Sequence, residues 1–290
     1  MIELKKVSFR YKGSSESGGV TDINLTIPNG QVILLCGKSG CGKTTITRLL
    51  NGLIPHYYEG DLAGEILLQG KDIRKLPLYE TAKVVGSVFQ NPRTQFFNVD
   101  TSCEMAFGCE NRGMEEQEII ERILKTADDL NVYQLLGRNI FHLSGGEKQK
   151  IACASVSVAG PQIIVLDEPT SNLDPLAAMD LKKMISIWKA QGKTVVIAEH
   201  RLYFLSDLID RAIVLQDGKI AGDYTVKELS AFRIEELKEM GLRPFDLSSY
   251  PVKCRRGLCS DLLKSEIFTL HIKMESRQYR LIHSGYRKIR

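Results

Sequence analysis

The residues best suited to chemistry form one run, Gly37-Lys38-Ser39-Gly40-Cys41-Gly42-Lys43-Thr44, with Thr45 following. The spacing fits G-x-x-x-x-G-K-[ST], a phosphate-binding pattern. Glycines in such a loop let successive backbone N–H groups point at phosphate oxygens, and the start of the next helix adds a favourable dipole. Lys43 would reach the β- and γ-phosphates, and Thr44 would ligate Mg²⁺. A second group closes the apolar run Ile163-Ile164-Val165-Leu166 with Asp167 and Glu168. There Asp167 would hold the Mg²⁺ shell and Glu168 would polarise an attacking water. A solvated strand end with a helix cap is the competing reading of that pair. The third group is Leu143-Ser144-Gly145-Gly146-Glu147-Lys148-Gln149-Lys150. Ser-Gly-Gly opening a helix is another anion-binding terminus, while Ser144 followed by Glu147 fits a capping box; both can hold for the same residues.

These groups need a scaffold that brings strand ends and helix starts together. The apolar run Val32 to Cys36 reads as a buried strand before the glycine loop, and Ile46, Leu49 and Leu50 have the spacing of a helix face after it. Residues 2–11 alternate as a strand, 13–19 form a flexible loop by composition, and 22–27 read as a second strand. Gly64 to Gly70 reads as another strand and Val84 to Phe89 as a further apolar run. Residues 101–137 become helical in pattern, with Ile119, Ile120, Ile123, Leu124 and Ala127 at helical spacing. Strands return at 162–166, 194–198 and 211–215, and a helix is expected over Leu176 to Ala190. Alternating strands and helices predict a mainly parallel sheet covered on both faces, and the opening strands an antiparallel edge.

Composition sets the limits. The 290 residues, 43% hydrophobic and 26% charged, suit a soluble globular chain of one large domain with at most a small appendage. No apolar run approaches the ~18 residues that span a bilayer, and Met1 to Lys6 carries no signal-peptide core, so neither export nor insertion by this chain is expected. Cysteines at 36, 41, 103, 109, 153, 254 and 259 form no C-x-x-C pair, a usage suited to a reducing cytoplasm. A zinc role for Cys254 and Cys259 would need ligands that the sequence does not group nearby. The net charge of +4 conceals a basic end: residues 251–290 hold ten Lys/Arg against three Asp/Glu. Such an end can touch nucleic acid or anionic lipid, and can equally be a solvated tail.

Over about residues 1–225 the chain resembles the ATP-binding-cassette (ABC) ATPases. Besides the phosphate loop and the Asp167-Glu168 strand, it has the signature Leu143-Ser144-Gly145-Gly146 and a glutamine loop at Gln90. Ser171-Asn172-Leu173-Asp174 matches the D-loop and Glu199-His200 the switch histidine, all in the family's order and intervals. Glu147 departs from the more usual glutamine and leaves the serine and glycines intact. The resemblance implies the α/β P-loop NTPase ABC fold: a mainly parallel sheet, an antiparallel β edge and a helical subdomain at about 91–160. The ATPase domain would be 1–240 and the basic appendage 241–290. It further implies two such domains sandwiching two ATPs with Mg²⁺ head to tail. Each ATP would meet Gly37 to Thr45 of one subunit and Ser144, Gly145 and Gly146 of the other. Tyr11 matches the aromatic that stacks on adenine, against a strand-end tyrosine packing locally. Gln90 would join Thr44 and Asp167 at the metal, His200 would hold the γ-phosphate and position water, and Asp174 would signal across the dimer.

Val88-Phe89-Gln90-Asn91-Pro92-Arg93-Thr94-Gln95-Phe96-Phe97 is similar to the F-Q-N-P-x-x-Q stretch of energy-coupling-factor ATPases, which serve cobalt- and vitamin-type importers. Ala198-Glu199-His200-Arg201-Leu202 is similar to a subgroup with two cassettes fused in one chain, yet no second phosphate loop follows Gly241. What this implies is an ATPase subunit on the cytoplasmic face of the membrane, pairing with itself or a second ABC ATPase. It would dock on a transmembrane coupling protein that works with a membrane substrate-binding subunit. A soluble ABC ATPase acting on nucleic acid or translation is the alternative, supported by the basic tail and opposed by the lack of a long coiled-coil insertion. A catalytically weak regulatory module is opposed by the intact Lys43, Asp167, Glu168 and His200. Nucleic acid is therefore not the expected partner.

Overall fold

The computed structural model describes residues 1–13, 18–171, 173–200, 204–240 and 242. The chain divides into a unit of residues 1–245 and a second of 246–290. The expected appendage at 241–290 lies outside the described residues, Leu242 excepted, as do Asn172, Arg201 and Leu202.

Among the described residues the first unit holds two sheets. Strands β1 (Ile2–Tyr11), β2 (Gly19–Ile27), β4 (Gly60–Leu68) and β5 (Lys71–Asp72) form an antiparallel sheet in the order β2-β1-β4-β5. Strands β3 (Val32–Cys36), β6 (Val85–Val88), β7 (Ile163–Asp167), β8 (Thr194–Ala198), β9 (Arg211–Gln216) and β10 (Lys219–Thr225) form the other, ordered β10-β9-β3-β8-β7-β6. Every pairing in that second sheet is parallel except β9 with β10. The mainly parallel sheet and the antiparallel β part are both present. The opening strands form a sheet of their own, however, and the antiparallel edge of the parallel sheet is β10. Polar positions interrupt β10 and only one neighbour pairs with it, so no apolar run announces it. Strand β4 also starts earlier than its sequence suggests. Gly64 lies inside it at φ +87°, where an added Cβ would come 2.4 Å from the Lys6 carbonyl oxygen. It sits opposite the register shift between Lys5 and Ser8, so this glycine makes a bulge rather than a strand start.

The central strands β3, β7 and β8 read as continuous apolar runs because both faces are covered. Alternation divides them: Ile33, Leu35, Val165 and Val196 pack with α1 (Lys43–Leu50) and the antiparallel sheet. After the short helices α2 (Leu53–His56) and α3 (Leu78–Val84) come α4 (Thr101–Glu110), α5 (Glu116–Asp129), α6 (Gly145–Val158) and α7 (Pro175–Ala190), and Leu34, Cys36, Ile164 and Leu166 face these four. On α5 the buried stripe is Ile119, Ile123 and Ala127; Ile120 and Leu124 stand exposed at its edge. Among the described residues no helix is long and apolar enough to cross a membrane.

Cys36, Cys41, Cys103, Cys109 and Cys153 are free thiols. Burial pushes those of Cys36 and Cys153 up to about 12, which leaves them unreactive as thiols at neutral pH.

Candidate functional site

The parallel sheet brings the sequence-predicted residues to one edge. Strands β3, β8, β7 and β6 are neighbours, so the segments that leave their carboxyl ends converge there, where ligands bind in open α/β sheets. The first such segment is the loop from Gly37 to Gly42, which leads from β3 into α1. Gly37 has φ +139°, and a Cβ on it would lie 2.2 Å from the Leu215 carbonyl oxygen, so only glycine fits. Lys43 is buried, with its Nζ donating to the Gly37 and Lys38 carbonyl oxygens at 3.1 Å each. The ammonium thus closes the loop into a ring around itself, and a glycine-rich loop with a buried cation suits phosphate oxygens. Cys41 turns its side chain into the apolar core, and its backbone N–H donates to the Lys38 carbonyl at 3.3 Å.

The carboxylates come from the end of β7. Thr44 Oγ1 donates to Asp167 Oδ1 at 3.2 Å, which places two hard oxygen donors beside the loop, a set suited to Mg²⁺. Burial raises the Asp167 carboxyl above the ordinary 3.8; the Glu168 charge adds to the rise, while the Thr44 hydroxyl and the Arg48 charge oppose it. The folded state therefore binds this proton more tightly than the unfolded chain. The associated stability is present below the ordinary aspartate range and is lost as pH rises through the raised value. At pH 7 and without divalent metal, Asp167→Asn is expected to raise the melting temperature, since it keeps an acceptor for Thr44 and removes a desolvated charge. Thermal melts in EDTA check this, and a lower melting temperature would contradict it.

Glu168 follows with φ +44°, a left-handed conformation uncommon for a residue with a side chain. Its N–H donates to the Ala198 carbonyl at 2.8 Å, and its own carbonyl accepts from Ser171 at 3.2 Å. This turn aims the carboxylate between two partners: His200 Nε2 lies 2.9 Å from Oε1, and Gln90 Nε2 donates to Oε2 at 3.1 Å. Gln90 leaves the end of β6 and His200 the end of β8, so three neighbouring strands supply the cluster. Glu199 holds the cluster from behind. It is buried, its Oε2 accepts from the Thr170 hydroxyl at 2.5 Å, and its Oε1 accepts from the His200 N–H at 2.8 Å. The sequence singled out Glu199 only as the neighbour of His200; its fixing of the loop after Glu168 depends on a long-range approach that spacing does not reveal.

Tyr11, at the end of β1, meets the helix α1 that follows the phosphate loop. Its hydroxyl lies 3.3 Å from Thr45 Oγ1 and accepts from Arg48 Nη1 at 3.0 Å. The signature residues stand together elsewhere. Ser144 caps α6: its Oγ accepts from the Glu147 N–H at 3.2 Å, and Glu147 Oε2 accepts from the Ser144 N–H at 2.8 Å. The capping box is therefore formed, and the bond from the Ser144 backbone holds the Glu147 carboxyl below its ordinary range. Glu147 thus serves the cap where the signature more often has glutamine. A Cβ on Gly146 would come 2.8 Å from that of Ala177, so the starts of α6 and α7 touch. Asp174 caps α7 by accepting from the Ala177 N–H at 2.8 Å. Ser144, Gly145 and Asp174 are exposed, and Gly145 lines a cleft of about 360 Å³ with Gln90 and Pro169.

A strand–loop–helix phosphate cradle with a carboxylate pair on a neighbouring parallel strand defines a P-loop ATPase domain. Residues 20–171 match the family model described as ABC transporter, and the chain belongs to that family. A provisionally named ABC transporter ATP-binding protein of Treponema denticola is 50% identical over 243 residues, 84% of this chain and 50% of the relative. A relative from Pyrococcus abyssi is 36% identical over 244 residues, covering 84% of this chain and 86% of its own. The solved cbiO1 of Clostridium perfringens, described as part of the ABC transporter complex cbiONQ, superposes with a TM-score of 0.71 at 26% identity. That match covers 83% of this chain and 96% of cbiO1. The chain spans about half the length of the first Treponema relative and 57% of a second one, which is 37% identical over 288 residues.

Proposed function

We propose that this chain is the ATP-hydrolysing part of an energy-coupling-factor type uptake transporter, of the vitamin or metal-ion class, working by ATP-driven dimer closure. The observation that carries the ATPase chemistry is the Glu168 carboxylate held between Gln90 and His200, beside the Thr44–Asp167 contact. Lys43 exchanges the carbonyls of Gly37 and Lys38 for the β- and γ-phosphates of ATP, and the loop N–H groups take the remaining phosphate oxygens. Mg²⁺, held by Thr44, Asp167 and Gln90, would neutralise charge on the β- and γ-phosphates. Glu168 accepts a proton from the attacking water, and His200 donates to the γ-phosphate. Tyr11 stacks on adenine. Ser144, Gly145 and Gly146 of a second cassette close over the nucleotide, and the exposed Asp174 signals across the pair. That second cassette is either another copy or a companion ABC ATPase.

The importer reading rests on the Phe89-to-Gln95 stretch and on the likeness to cbiO1. It makes the chain a peripheral subunit at the cytoplasmic face, docked on a transmembrane coupling protein that carries a membrane substrate-binding subunit. Purifying the tagged chain from its host in mild detergent is expected to recover both membrane proteins. Recovery of ribosomes or nucleic acid alone would overturn the importer reading and leave the ATPase chemistry to a soluble role.

A further inference from the structure

Arg48 belongs to none of the motifs described above. It lies on α1 one turn beyond Thr44, and its guanidinium faces tyrosines. Its carbon Cζ sits 4.1 Å from the centre of the Tyr58 ring and 5.8 Å from that of Tyr11, both within cation–π range. Its Nη1 donates to the Tyr11 hydroxyl at 3.0 Å, and Thr45 Oγ1 stands 3.3 Å from the same oxygen. The Tyr11 ring also stands nearly perpendicular to those of Phe9, centroids 4.8 Å apart, and of Tyr58, at 6.0 Å. A hydroxyl held on α1 and a ring set at right angles to two aromatic neighbours fix the plane of Tyr11.

We infer that Arg48 is a positioning residue for the nucleobase: it sets the plane of Tyr11 by holding its hydroxyl, so that the ring is ordered before ATP arrives. The inference rests on the reading of Tyr11 as the adenine platform. The physical benefit is preorganisation, because a ring already immobilised loses less freedom when a base stacks on it. Arg suits the task better than Lys, since one planar group stacks on Tyr58 while its edge donates to Tyr11. Thr44, Thr45 and Arg48 share α1, so the helix that presents the phosphate cradle also orients the base platform.

The test compares equilibrium binding of ATP and of inorganic tripolyphosphate, which has no base, to the full chain. Arg48→Met is expected to weaken ATP by about five- to tenfold, part of what one stacked base contributes, and tripolyphosphate by less than about twofold. Tyr11→Phe keeps the ring, removes the anchored oxygen and is expected to match that loss. The double variant is expected to be no weaker than either single one, because both break the same bond. Arg48→Lys, which keeps a donor, is expected to recover part of the affinity. Equal losses for ATP and tripolyphosphate, or additive losses in the double variant, would overturn the role. Tyr11→Phe carries the comparison by itself if Arg48→Met does not fold. A wild-type chain that binds tripolyphosphate and ATP equally would overturn the adenine platform and Arg48's role with it. One that binds neither would overturn the nucleotide site as a whole.

Discussion

Replacing Glu168 by glutamine is expected to lower ATP turnover by about 10²–10⁴-fold, the usual contribution of a general base, while ATP still binds. The substitution is nearly isosteric. One amide oxygen can still accept where Oε1 or Oε2 does now, so the turn at φ +44° and the approach of Gln90 and His200 need not change much. What is lost is the basicity. Because the proposed site assigns binding to Lys43, the loop N–H groups and Thr44, the variant is expected to hold unhydrolysed ATP and to favour the closed pair of cassettes. Phosphate release measured beside equilibrium ATP binding separates the two effects. Turnover equal to wild type would remove Glu168 from the chemistry.

Lys43→Ala is expected to weaken ATP binding by about 10²-fold or more, since a hydrogen bond to a charged group contributes about 1.5–3 kcal/mol and the proposed site gives Lys43 two phosphates. The free chain also loses the ammonium that ties the Gly37 and Lys38 carbonyls together, so the loop loses its ring as well as its charge. A circular-dichroism melt shows whether the fold survives, and titration with a fluorescent ATP analogue reads affinity. Tight binding retained in a folded variant would count against the phosphate-loop assignment.

How far the sequence led depended on the range of the interaction. Apolar runs at 32–36, 163–166 and 194–198 identify buried strands because strands covered on both faces have no polar alternation to confuse them. The Ser144–Glu147 capping box is legible because it spans only three residues. Strand β10 escaped because it is paired on one side and half polar, and the start of β4 because Gly64 reads as a turn until Lys6 is seen opposite it. At the site, residue types and order gave Gln90, Glu168 and His200, which meet within hydrogen-bond distance. They did not give Glu199 bridging Thr170 and His200, or Arg48 beneath Tyr11. In both cases a common residue acts through a side chain brought from a distant segment, and spacing carries no record of that.

The most direct test loads wild type, Glu168→Gln and Lys43→Ala with radiolabelled ATP and Mg²⁺, removes free nucleotide by rapid gel filtration, and identifies what stays bound. The account predicts intact ATP on Glu168→Gln, ADP or an empty site on wild type, and nothing on Lys43→Ala. Intact ATP on all three, or on none, would contradict a site in which Lys43 binds the phosphates and Glu168 drives their hydrolysis.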